Sequence, residues 1–258
     1  MSTKPASVLV HGAWHSPQAY IKFTTALQER GFDVHAPQLP SCTGPRAAGT
    51  SSIRDSLVVR QLVEQLADGG RTIIVIMHSY GGVVGCNAVE NLDVQSRTAR
   101  GKTGGVAHLI AIAAMIYPKG YNVVDIAHEM NDEKILTTME IAEDGSSFLK
   151  DPRATCYNDT SDEEVEVVLK TLARCDVQSM EERVHFEAWR VLPLTYILAI
   201  KDAALPQYHQ QCVLDKLEAA GHKADVRTFD SDHSPFLSKL RETVQVVEDV
   251  AGKLSSRS

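Results

Sequence analysis

No apolar run in this 258-residue chain reaches the roughly 18 residues that a membrane-crossing helix needs, so a spanning protein is not expected. The amino terminus, Met1 to Ser7, leads straight into an apolar strand and leaves no room for a signal peptide. Positive charge is in deficit. The 26 Lys and Arg against 33 Asp and Glu give a formal net charge of -7, which offers no basic footprint for nucleic acid or an anionic membrane surface. Cysteine is sparse and scattered: Cys42, Cys86, Cys156, Cys175 and Cys212 are odd in number and contain no Cys-x-x-Cys pair. Neither a disulfide framework nor a zinc site follows, and free thiols in a reducing compartment are the simpler reading. Internal repeats and low-complexity runs are missing as well. These absences point to a soluble, cytoplasmic protein with no metal, no cofactor, no nucleic-acid partner and no membrane partner. Small neutral or cationic molecules remain as ligands, and a homodimer is left open.

What is present is a core. With 43% hydrophobic and 23% charged residues, the chain suits one sizeable domain that has room for an inserted subdomain. Thr72 to Met77 is a short, mostly β-branched apolar run of the kind that is buried on both faces of a sheet. It stops at His78-Ser79-Tyr80-Gly81-Gly82, and helical spacing resumes at once with Val83, Val84 and Ala88. So tight a strand-to-helix turn strains its central residue and exposes that side chain beside a helix amino terminus. Ser79 therefore reads as a nucleophile, the alternative being an ordinary turn that happens to carry a serine. The turn resembles the nucleophile elbow of the α/β-hydrolase fold, Gly-x-Ser-x-Gly, with Met77 in place of the first glycine.

The remaining pattern alternates. Strands are predicted at Ser7 to Val10, Phe32 to Ala36, Val106 to Met115, Leu194 to Ile200 and Ala224 to Phe229. Helical spacing lies between them: Pro17 to the stop at Gly31, Ile53 to Leu66, Gln207 to Ala220, and one last helix opened by Pro235. The stretch from Ser41 to Ser52 reads as a loop and Ser255 to Ser258 as a frayed tail. This alternation predicts a mostly parallel, doubly wound sheet whose strand-end turns, His11 to Trp14 among them, gather on one edge where ligands bind. About 70 residues between Tyr117 and Arg190 lack a comparable strand and read as a helical cap. The expected organisation is 1–116 and 191–258 as the core, with 117–190 as the inserted cap.

A serine hydroxyl needs a base that titrates near neutrality, and imidazole is the suitable side chain. Of ten histidines, His233 sits between the last strand and the last helix, whereas His108 lies within a strand and His128, His185, His209 and His222 fall on helical or cap surfaces. Asp202, just after the strand that follows the cap, is the expected orienting carboxylate; Asp230 and Asp232 are the alternatives. Backbone N–H groups of Ala13 and Tyr80 are the natural oxyanion donors. Trp14, Phe148, Phe186 and Trp189 are candidates for lining a substrate pocket.

With these pieces in place, almost the whole chain resembles the compact α/β-hydrolases of the plant methylesterase and hydroxynitrile lyase group and their microbial esterase relatives. The resemblance rests on Leu9 to Trp14, His78 to Gly82, Tyr196 to Asp202 and Asp232 to Leu237. It implies the α/β-hydrolase fold, a Ser79-His233-Asp202 triad and cleavage of small to medium carboxylic esters through an acyl-enzyme. The lyases of that group carry a lysine directly after the catalytic histidine and a threonine in the first turn. Ser234 and Ala13 stand there in this chain and argue for hydrolysis. A lyase, lactonase or thioesterase on the same triad, and a hydrolase-like small-molecule binding protein, are the competing expectations.

Overall fold

A computed structural model describes residues 4–44, 51–130 and 137–256 of the chain. Parts of the predicted Ser41–Ser52 loop (residues 45–50), of the predicted carboxyl-terminal tail (257–258) and of the predicted cap (131–136) lie outside it, as do residues 1–3 at the amino terminus. The first five strands of the main sheet in chain order are β1 (Ala6–Val10), β2 (Asp33–His35), β3 (Thr72–His78), β4 (Gly105–Ile112) and, after segment 117–190, β8 (Leu194–Ala199). The sixth, β9 (Asp225–Phe229), completes the order β2-β1-β3-β4-β8-β9. Every pairing in it is parallel. Register aligns Val8 with Val75, Val75 with Leu109 and Leu109 with Leu194, so one apolar row crosses four strands.

Side chains alternate across a strand, and this sheet is covered on both faces. Ile73, Val75 and Met77 of β3 pack with Val59 and Val63 of helix Ser52–Asp68 and with Val84 of helix Gly81–Ala88. Ile74 and Ile76 face the other way, onto Phe23 and Leu27 of helix Ile21–Glu29 and Val244 and Val247 of helix Leu240–Ser255. That two-sided burial is why the strands read as unbroken apolar runs. Since all six strands run in parallel, their carboxyl ends share one edge. The turns carrying Ala13, Ser79, Asp202 and His233 all leave from that edge.

Two expectations need correction. The segment 117–190 is not purely helical: β5 (Met139–Ile141), β6 (Ser146–Leu149) and β7 (Cys175–Asp176) form a three-stranded antiparallel sheet among its short helices. The last helix is also not continuous. Pro235–Ser238 and Leu240–Ser255 are separate, broken at Lys239, whose φ of -132° and ψ of 46° are not helical. No helix among the described residues is long and apolar enough to cross a membrane.

Candidate active site

Ser79 leaves β3 with a φ of +52°, in the left-handed region that a non-glycine residue seldom adopts. The strain is held by three backbone bonds. Ser79 N–H donates to the Ile112 carbonyl (3.2 Å), while its own carbonyl accepts from Gly82 N–H (2.9 Å) and Met115 N–H (2.9 Å). The elbow is pressed so close to β1 that a Cβ on Gly81 would lie 2.3 Å from the Val10 carbonyl oxygen. No side chain fits there, which accounts for the first of the two glycines after Tyr80.

His233 and Asp202 meet across the ends of β9 and β8. The imidazole Nδ1–H donates to Asp202 Oδ2 at 2.7 Å, both groups being buried. The carboxylate is fixed by further donors: Ala204 N–H (2.8 Å) and Leu205 N–H (2.7 Å) on Oδ1, and Gln210 Nε2–H (3.2 Å) on Oδ2. With Nδ1 committed as a donor, Nε2 of the neutral ring is the acceptor. The alternative carboxylates are occupied elsewhere. Asp232 accepts from Thr160 Oγ1 (2.7 Å), Asp159 N–H (3.0 Å), Ser234 N–H (3.0 Å) and Ser238 Oγ (2.8 Å), tying segment 117–190 to the His233 loop. Asp230 pairs with Lys201 at 3.0 Å near the surface.

Ser79 and His233 border one cavity of about 310 Å³ between the sheet edge and segment 117–190, together with Ala13, Trp14 and Tyr80. Its other walls are chiefly apolar, with Met115, Met139, Met180 and Leu149 prominent. Trp14 sits in the wall with its indole N–H donating to Ser147 Oγ at 3.1 Å. The other three aromatics expected to line a pocket are not among the described lining residues. Phe148 neighbours the lining residue Leu149 in β6, and the pleat turns the two to opposite faces. Phe186 packs onto the core, its N–H held by Asn87 Oδ1 at 3.2 Å. Trp189 is fully buried beneath the Arg190 guanidinium, 4.4 Å from its ring.

His15 and Asp55 were not singled out from the sequence, and His11 only as the start of a turn. His15 lines the cavity; its Nδ1–H donates to the Ala13 carbonyl (2.7 Å) and its Nε2 accepts from Tyr157 Oη (2.8 Å). Burial pushes its pKa down to about 3, so it is a neutral wall. His11 is likewise pushed down to about 4 by burial, and its Nε2 accepts from Leu39 N–H at 3.0 Å. Asp55, raised by burial, accepts from Tyr80 Oη (2.8 Å), Ser41 Oγ (2.5 Å) and Ser41 N–H (2.9 Å), and so anchors the elbow's tyrosine. The signal for Asp55 was its place in the first turn of the helix after the loop; for His15, its position two residues beyond Ala13. His209, expected on a surface, is buried.

Comparison with known proteins gives the fold a family. An Alpha/beta hydrolase family profile matches residues 8–246. The alpha/beta hydrolase nvfD of Aspergillus novofumigatus is 24% identical over 97% of this chain and 98% of its own. The probable hydrolase R7 of a Phoma species is 27% identical over 97% and 99%. Among solved structures, the methylesterase MES16 from Arabidopsis superposes with a TM-score of 0.74 at 20% identity, covering 96% of this chain and 99% of that one. With the profile running from β1 into the final helix, and a six-stranded parallel sheet beneath it, the chain belongs to the alpha/beta hydrolase family.

Proposed function

We propose that the protein is a cofactor-independent serine hydrolase that cleaves small to medium carboxylic esters with an apolar part. The observation that carries the reading is the shared cavity: a strained, buried serine and an imidazole whose far nitrogen is held by a carboxylate border the same space. In this reading His233 Nε2 takes the Ser79 Oγ proton as Oγ bonds to the ester carbonyl carbon. The negative charge that develops on the carbonyl oxygen is met by the N–H groups of Ala13 and Tyr80. Collapse expels the alcohol, protonated by His233. A water deprotonated by His233 then attacks the acyl-enzyme, and the acid leaves as Ser79 regains its proton. Asp202 holds the imidazole in the required tautomer and stabilises the imidazolium.

The walls of the cavity support an apolar substrate. A cavity of about 310 Å³ lined by three methionines adapts to apolar groups of varied outline and offers little to a charged acyl chain. The likeness to a methylesterase is in keeping with ester cleavage. The test is turnover of p-nitrophenyl acetate alongside a panel of methyl, aryl and lactone esters. The Ser79→Ala variant is expected to lose about 10⁴- to 10⁶-fold in kcat. Retention of steady turnover by that variant rules the mechanism out.

A further inference from the structure

His78, the last residue of β3, has no step of its own in the chemistry above, yet it is fully buried beside Ser79. Its two ring nitrogens have fixed duties. Nε2 lies 2.9 Å from the His233 carbonyl oxygen, which can only accept, so Nε2 carries the proton and donates. Nδ1 lies 2.6 Å from Tyr20 Oη. That hydroxyl already accepts from Gly12 N–H at 3.0 Å, leaving its single proton for Nδ1. One neutral tautomer satisfies all four groups, and the chain of donors runs Gly12 to Tyr20 to His78 to His233.

The wire joins three loops. Gly12 immediately precedes Ala13, the suggested oxyanion donor; His78 precedes the nucleophile; and the accepting carbonyl belongs to the base itself. Packing is equally tight. A Cβ on Gly12 would fall 2.9 Å from His78 Nδ1, so the turn lies directly on the imidazole. Phe236 closes the other side with its ring centroid 5.0 Å away, edge to face. Burial first, and the nearby His233 second, push the His78 pKa well below its ordinary value. The ring therefore stays neutral when His233 becomes an imidazolium, and does not repel the charge that catalysis needs there.

Resting on the serine-hydrolase reading, we propose that His78 is a positioning residue that sets the oxyanion turn and the base loop in register with Ser79. Loss of the wire leaves substrate binding intact while misplacing groups by a fraction of an ångström, so it is read in kcat rather than in KM. The experiment measures p-nitrophenyl acetate kinetics and the rate of Ser79 phosphonylation by a fluorophosphonate, followed by intact-mass spectrometry, in variants whose folding is checked by circular dichroism. His78→Phe is expected to lower both kcat and the labelling rate about 10- to 100-fold with KM within about twofold. His78→Gln carries one acceptor and one donor at its tip, and is expected to recover to within about fivefold of the wild type. A purely space-filling role predicts the reverse order, since phenylalanine is the better shape match. Should His78→Phe fail to fold, Tyr20→Phe carries the test with an expected loss of about 3- to 30-fold. A wild-type rate in a folded His78→Phe or Tyr20→Phe, or a His78→Gln no faster than His78→Phe, overturns the proposal and leaves the hydrolase reading standing. Absence of Ser79 labelling in the wild-type protein instead overturns that reading, and the positioning role with it.

Discussion

Asp202 receives four donors, one of them the imidazole of His233, the base in the proposed mechanism, and that crowding makes its charge the feature to perturb. Asp202→Asn keeps the shape of the side chain but turns one oxygen into a donor, which the His233 Nδ1–H cannot satisfy. The ring is then driven to the opposite tautomer, with its proton on the nitrogen that should accept from Ser79. We expect kcat to fall about 10⁴-fold with little change in thermal midpoint, checked by steady-state kinetics beside thermal unfolding. A loss below about tenfold would mean that another group orients the imidazole. The placement of Ser79, Asp202 and His233 at the carboxyl edge of the sheet was legible in the sequence, because each follows a run that reads as a strand. The aromatic lining was not. Phe148, Phe186 and Trp189 were picked for side-chain type, whereas which way each faces depends on the β6 pleat and on partners such as Asn87 that are remote in sequence.

The strand-to-helix turn at Ser79 departs at Met77 from the Gly-x-Ser-x-Gly pattern it resembles, and helix Gly81–Ala88 shows how the departure is accommodated. A Cβ built on Gly85 would lie 2.6 Å from Met77 Sδ and 2.7 Å from its Cγ. The bulk usually excluded before the serine has been admitted, and the matching space is surrendered one turn into the helix. Ordinarily a glycine-to-alanine change inside a helix gains up to about 1 kcal/mol. Here Met77 is fully buried and has little room to swing aside. Gly85→Ala is therefore expected to destabilise by about 1–3 kcal/mol through overpacking. In a Met77→Gly background the same change should become neutral or stabilising, a coupling of about 1–3 kcal/mol in a double-mutant cycle read by urea unfolding. Additive effects would show that the two side chains do not compete. The elements of the main sheet were legible because β3, β4 and β8 are long apolar runs with helices between them. The strands within segment 117–190 were not, since β5, β6 and β7 span three, four and two residues, too few for an alternation to register. Likewise the Leu237-to-Val250 spacing gives no sign of the break at Lys239, which is fixed by local backbone and by Thr243 Oγ1 donating to the Pro235 carbonyl at 2.9 Å.

At the scale of the whole molecule, the carboxyl edge of the main sheet is a place where neutral imidazole is buried in quantity. His11, His15 and His78 are each almost wholly enclosed, and burial is the leading cause that lowers all three pKa values, to about 4 for His11, to about 3 for His15 and well below the ordinary value for His78. The unfolded chain has no such environment, so its imidazoles take up protons near pH 6.5. Between that pH and the folded values the unfolded state binds more protons, and stability rises with pH. The contribution is thus fully present above about pH 6.5 and is lost as the pH falls towards about 4 and 3. For His11 alone the span from 6.5 to about 4 is worth about 3 kcal/mol. Asp55 works in the opposite sense, since its raised pKa favours the folded state at low pH, but it is one group against three. We expect the urea midpoint to drop sharply between pH 7 and pH 5, with a limiting slope of about 4 kcal/mol per pH unit if all three imidazoles stay neutral in the fold. His11→Gln keeps an acceptor for Leu39 N–H while removing one titrating ring, and should shallow that slope by about one proton. A midpoint that does not move between pH 7 and pH 5, or a His11→Gln slope equal to that of the wild type, would show that the folded protein accommodates protonated imidazoles at this edge.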